Sequence, residues 1–175
     1  MFAIIVLIVV GLIAALLVYA STRPDRFSVQ RKISIDVSPE KVFPLINDFQ
    51  QWGYWSPWAT RDPSMSQSFS GLARGEGAIY AWSGNNKVGS GRMEIIESVP
   101  SSLIRIQLDF TRPFKAHNVS EFALAAEGEA TAVTWTMSGP ANFITKLMGV
   151  FVSMDRMVGR DFERGLSSLK SAVMR

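Results

Sequence analysis

From Arg31 to Val37 apolar and polar residues alternate, with Ile33, Ile35 and Val37 on one side and Lys32, Ser34 and Asp36 on the other. That period of two predicts a half-buried strand. The same alternation returns further on. Ile104, Ile106, Leu108 and Phe110 oppose Arg105, Gln107 and Asp109, and Val133, Trp135 and Met137 oppose Thr134 and Thr136. Further strands are predicted at Ser66–Phe69, Ala78–Ser83, Val88–Val99 and Asn118–Ala126, separated by turn signals such as Gly84-Asn85-Asn86 and Glu127-Gly128-Glu129. Two stretches have a period near 3.6 instead. Ser38-Pro39-Glu40 opens a short helix whose apolar side is Val42, Phe43, Ile46 and Phe49, with Ser38 as its expected cap and Pro44 as a kink. From Asn142 to Met174 the residues Ile144, Leu147, Met148, Phe151, Val158, Phe162, Leu166, Leu169 and Val173 recur at steps of three, four and seven. This predicts one long amphipathic helix of about 45 Å, capped by Asn142 after the breaker Gly139-Pro140.

Strand, two short helices, about six strands joined by short connections, and a long helix make an α+β arrangement. An antiparallel meander is expected to curve around the terminal helix.

The first twenty residues stand apart. Phe2 to Ala20 carries no charge and no strongly polar side chain. About 19 helical residues span roughly 28 Å, close to the hydrocarbon thickness of a bilayer. The reading is a single-pass membrane anchor over residues 1–20, a polar tether over 21–28 and one domain over 29–175. A cleaved signal peptide ending at Val18-Tyr19-Ala20 is the rival, though a charged start is missing and the apolar run is long. A buried soluble helix is the weaker one. Arg23, Arg26, Arg31 and Lys32 follow the span, so the positive-inside rule favours the cytoplasmic side for the domain.

Composition narrows the chemistry. Cysteine is absent and His117 is the one histidine, which excludes thiol catalysis and cysteine- or histidine-cluster metal sites. The net charge of +3 comes from scattered basic residues, so no nucleic-acid surface is expected. Gly75-Glu76-Gly77 is too isolated for a phosphate loop and reads as a hairpin turn. No cofactor or metal is expected.

Trp52-Gly53-Tyr54-Trp55-Ser56-Pro57-Trp58 places four aromatic rings in seven residues, as hydrophobic plugs or as the mouth of a pocket. With the preceding strand, Ser38-Pro39-Glu40-Lys41-Val42-Phe43, Asp48-Phe49, Gly91-Arg92-Met93-Glu94-Ile95, Thr131-Ala132-Val133-Thr134-Trp135 and the terminal helix, it resembles the START-like (SRPBCC) superfamily. Within that superfamily, polyketide cyclase/dehydrase-type proteins are the most similar. The resemblance covers roughly Val29 to Met174. It implies a helix-grip fold with a deep apolar cavity between sheet and C-terminal helix. Many members bind lipids, sterols or aromatic polyketides, and some are enzymes.

The alternation turns Arg92, Glu94, Arg105, Asp109, His117 and Glu121 away from the inner rows and leaves Asn118, Ser120 and Thr131 inside, with Tyr80 or Ser83 depending on register. None of these is a strong base, so no catalytic residue is assigned. The expected cavity wall is Trp55, Trp58, Tyr80, Met93, Ile106, Leu108, Phe110, Asn118, Ser120, Phe122, Trp135 and Phe151. The favoured function is a membrane-anchored, non-catalytic binding module for an apolar small molecule, lipid-like or aromatic. The alternatives are a polyketide cyclase/dehydratase-like enzyme, or an interaction or stress protein whose cavity is vestigial.

Overall fold

The computed structural model describes residues 1–151 and 153–175. Its elements are α1 (Phe2–Ser21), β1 (Arg26–Ile35), α2 (Pro39–Asn47), a 3-10 helix (Phe49–Tyr54), β2 (Ser66–Gly71), β3 (Ala78–Ser83), β4 (Ser90–Val99), β5 (Leu103–Arg112), β6 (Ala116–Glu127), β7 (Ala130–Pro140), α3 (Phe143–Phe151) and α4 (Met154–Val173). The seven strands form one antiparallel sheet in the order β1-β7-β6-β5-β4-β3-β2. Six of them make the expected meander. β1 departs from it by pairing with β7 at the far edge, so that Val29 faces Met137 and Ile33 faces Val133. The connection from β1 to β2 carries α2 and the 3-10 helix across the inner face. The fold is α+β and of helix-grip type.

The terminal helix is not one rod. Ser153 is extended and its hydroxyl accepts a hydrogen bond from the Arg156 amide at 3.3 Å, with Asp155 in the first turn, so a new helix starts there. Val152, inside the predicted helix, lies outside the described residues. Asn142 caps α3 as expected, accepting from the Thr145 amide at 2.9 Å. Ser38 precedes α2 without a side-chain cap bond, although Pro39 does occupy the first turn.

Only α4 grips the sheet. Phe162, Leu166 and Leu169 are buried against it. Ion pairs lock its edge: the Arg31 guanidinium on β1 donates to both Asp155 oxygens at 2.8 and 3.0 Å and to Glu163 at 2.6 Å. Near its C-terminus, Lys170 donates to the Ser34 carbonyl and to Asp36, both at 3.0 Å. The Arg31 partnership holds the Asp155 carboxyl below its ordinary range. Gly165 sets how closely α4 approaches. A Cβ there would stand 2.8 Å from the Trp135 ring and 3.0 Å from the Pro57 ring. Both rings are held by packing and neither is a flexible chain end. Gly165→Val should therefore destabilise the domain by about 1–3 kcal/mol through overpacking, although valine is the better helix former. Thermal unfolding checks this, and an unchanged midpoint would contradict the close approach.

Candidate functional site

The space between sheet and α4 is filled by aromatic rings. Trp135 stacks on Phe162 at 3.9 Å with planes 6° apart and on Phe122 at 4.7 Å. Trp55 meets Trp135 and Phe122 edge-on at 5.8 and 5.9 Å. Local chemistry explains why these tryptophans turn inward. A helix leaves its last carbonyls without intrahelical donors. At the end of α2 the Leu45 carbonyl accepts from the Trp55 indole and the Ile46 carbonyl from the Trp52 indole, each at 2.9 Å. The Trp135 indole donates to the Ser120 hydroxyl at 2.8 Å, and Thr131 donates to the Val37 carbonyl at 2.6 Å. Among the described residues no buried side-chain polar atom is left without a partner. This interior is a plug where the resemblance implied a deep cavity.

The expected wall residues therefore fall into three places. Trp55, Ile106, Ser120, Phe122 and Trp135 belong to the plug, all buried. Trp58 is half-buried at its edge, with ring centroids 5.9 Å from Trp135 and 6.5 Å from Phe162. Tyr80, Met93, Leu108, Phe110 and Asn118 lie on the inner face of the sheet on the far side of the plug. Phe151 does not line the interior at all: it is 71% exposed on α3. Its helix packs beside α1, which removes the first half of the predicted rod from the sheet.

Where α4 gives no cover, the sheet carries an aromatic shelf, exposed at Phe69, half-buried at Tyr80 and Trp82, and buried at Met93, Leu108 and Asn118. Register puts Phe69, Tyr80, Met93, Leu108 and Asn118 in one row across β2 to β6. Asn118 packs against Gly139, which pairs with Phe27 of β1. The next row is Gln67, Trp82, Gly91, Phe110 and Ala116. Phe69 and Tyr80 lie 5.3 Å apart, Tyr80 and Trp82 stack at 5.9 Å, and Trp82 meets Phe110 edge-on at 5.6 Å. Tyr80, Trp82 and Phe110 are half-buried. Burial raises the Tyr80 hydroxyl above its ordinary range, so it stays protonated near neutrality. Gly91 makes the ladder possible, because a Cβ there would stand 2.6 Å from the Trp82 ring. Trp82 and Phe69 were not among the expected wall residues. The signal for Trp82 was its alternation with Tyr80, with glycine opposite on the neighbouring strand.

Two shallow clefts flank the shelf at the free edge. One of about 200 Å³ is lined by Phe49, Phe69, Leu72 and Ala78 among others, and one of about 190 Å³ by Ser66, Ser68, Trp82 and Ser83 among others. Both fall below the roughly 300–1,000 Å³ of an enclosing ligand pocket. Neither cleft encloses a ligand-sized volume.

The outer face holds the charges, as the alternation predicted. Arg105 pairs with Glu97 and Glu121, and Arg92 with Glu94. His117 and Asp109 meet at 2.8 Å, with the His117 side chain 73% exposed. Partial burial pushes the Asp109 carboxyl up, but hydrogen bonds from His117 and Gln107 outweigh it and hold the group below its ordinary range. The pair sits on the opposite side of the sheet from the shelf and cannot transfer a proton to anything bound there.

The fold has many solved counterparts. The chain superimposes on ginseng major latex-like protein 151 from Panax ginseng with a TM-score of 0.61 at 10% identity, covering 87% of this chain and 100% of that one. For the Aha1 dimer from Colwellia psychrerythraea the values are 0.58 and 20%, with 84% and 96% covered. For CalU16 from Micromonospora echinospora they are 0.56 and 17%, with 83% and 65% covered. At such identities the likeness carries the fold alone. No curated protein sequence is similar enough to count as a match. The family model described as "Polyketide cyclase / dehydrase and lipid transport" matches residues 26–174, which takes in β1, the plug, the shelf and α4. The chain belongs to that polyketide cyclase/dehydrase and lipid-transport family.

Proposed function

We propose that the protein is a membrane-anchored binding module for an apolar ligand, held along the aromatic shelf and not beneath α4. The observation that carries this reading is the half-buried ladder of Tyr80, Trp82 and Phe110, which α4 leaves uncovered. The neighbouring row runs to Phe27, six residues after α1 ends at Ser21. α1 is long and apolar enough to cross a membrane. A ligand drawn from a bilayer would meet the shelf at the end of the domain nearest the span. Family membership supports a lipid-like or aromatic ligand. The polar groups around the shelf, the Tyr80 hydroxyl and Asn118, suit orientation more than proton abstraction. The ligand-facing residues in this reading are Tyr80, Trp82 and Phe110, with Met93, Leu108 and Asn118 as the buried floor beside them.

The cytoplasmic side is favoured for the domain. Arg31 and Lys32 are engaged with Asp155, Glu163 and Glu127, which leaves Arg23 and Arg26 as the flanking charges nearest the span.

An environment-sensitive fatty-acid probe should bind the detergent-solubilised chain saturably. Trp82→Ala should weaken it about tenfold, equivalent to about 1.4 kcal/mol. His117→Ala should leave binding unchanged. Equal affinity for Trp82→Ala and the parent chain would remove the shelf from the account. The packed interior favours one second reading, an interaction protein whose cavity is vestigial. That reading predicts no saturable binding at all.

A further inference from the structure

The Phe143–Phe151 helix is apolar on too much of its surface for a solvated element. Phe143, Ile144, Met148 and Phe151 are 47, 61, 52 and 71% exposed, and no described residue of α3 is buried. Large apolar side chains gathered this densely on a surface mark a contact site. The neighbours of α3 say which contact. It packs beside α1, and the α1 positions with reduced exposure are Leu16 and Ala20, one turn apart at the domain end of the span. From Leu16 to Ser21 the helix rises about 7.5 Å. A helix lying beside that stretch sits at the depth of an interfacial helix, whose apolar side enters the headgroup and acyl boundary by about 5–10 Å.

The polar features of α3 point back to the tether. Lys146 pairs with Asp25, the Ala141 amide donates to the Asp25 carbonyl at 2.8 Å, and Asn142 caps the first turn. These bonds fix the start of α3 to the chain that leaves α1. Arg23 on the same tether and Arg26 at the start of β1 are exposed, where anionic headgroups would lie.

We infer that α3 is a second membrane contact, embedded in the interface of the leaflet in which α1 ends, with a lipid surface as its occupant. The inference rests on α1 spanning the bilayer. Two attachments fix the tilt of the domain where one flexible tether would not, and they keep the Phe27 end of the shelf at the lipid surface.

The chain has no cysteine, so single labels are clean. Phe151→Cys, Ile8→Cys and Glu129→Cys, each in the full chain, would carry a small fluorophore. The proteins would be reconstituted in phosphatidylcholine–phosphatidylglycerol vesicles containing spin-labelled lipid. With the quencher high on the acyl chain, the Phe151 label should lose at least about half its emission, as residence some 5–10 Å below the headgroups requires. The Ile8 label should be quenched by a probe near the chain end, and the Glu129 label by neither. Quenching at Ile8 without quenching at Phe151 overturns the second contact and leaves the anchor standing. Quenching at neither overturns both. A Phe151 label shielded from aqueous iodide yet untouched by spin-labelled lipid would mean that protein covers α3, and would also overturn the inference.

Discussion

Phe162→Asp should abolish cooperative folding of the domain. Phe162 is 1% exposed and lies flat on Trp135 at 3.9 Å, with Trp58 against its edge at 6.5 Å. Removing a buried phenylalanine ring costs about 3–5 kcal/mol. Placing an unpaired carboxylate in its site adds several more. The sum rivals the roughly 5–15 kcal/mol that hold a whole domain together. Ser168→Asp, at an exposed position of the same helix, should be nearly silent and separates the buried site from any general effect of charge. Near-ultraviolet circular dichroism would report the loss, since the Trp135 stack gives the domain rigid aromatic packing. A Phe162→Asp protein with a parental cooperative melt would mean that α4 grips by another face.

The full chain should sediment with membranes, resist salt and alkaline washes and come off only with detergent. Phe2–Ser21 is a helix of 20 residues with Ala20 alone buried by the domain, and 20 residues at about 1.5 Å cover a bilayer's hydrocarbon thickness. Ile8→Asp with Leu12→Asp should move a large share of the protein to the soluble fraction, because each aspartate near the centre of a span costs about 3 kcal/mol. Fractionation with immunoblotting checks both statements. Recovery of a soluble form beginning near Ser21 would establish cleavage and remove the anchor.

The strands were legible because a half-buried sheet imposes a strict period of two. The inner rows Ile104-Ile106-Leu108 and Val133-Trp135-Met137 could be read directly, and Arg105, Asp109 and His117 were correctly turned outward. The pairing of β1 with β7 was not legible, since no local feature names a partner more than ninety residues away. The terminal helix shows a different limit. Periodicity says that a helix has an apolar side and leaves open what covers it. Ile144, Met148 and Phe151 continue the stripe of Phe162 and Leu166, yet they belong to another helix with another neighbour. The break at Ser153 carried its own signal, a capping serine with Asp155 behind it, which the longer pattern masked. Ser120 was read as an inward polar group open to a ligand. Its hydroxyl instead holds the Trp135 indole, a diagonal bond between the paired strands β6 and β7 whose register the alternation alone does not give. The inward turn of Trp52 and Trp55 depended on carbonyls freed at the end of α2, which became visible only with the helix boundary.

Photo-crosslinking with a diazirine fatty acid tests the binding shelf most directly. The full chain would be irradiated in its native membranes, and the adducts mapped by mass spectrometry with and without excess unlabelled fatty acid. The account predicts competable adducts on β3, β4 and β5, at Tyr80, Trp82, Met93 or Phe110, beside non-competable ones on α1. Adducts confined to α1 and α3, with none on the three strands, would contradict it.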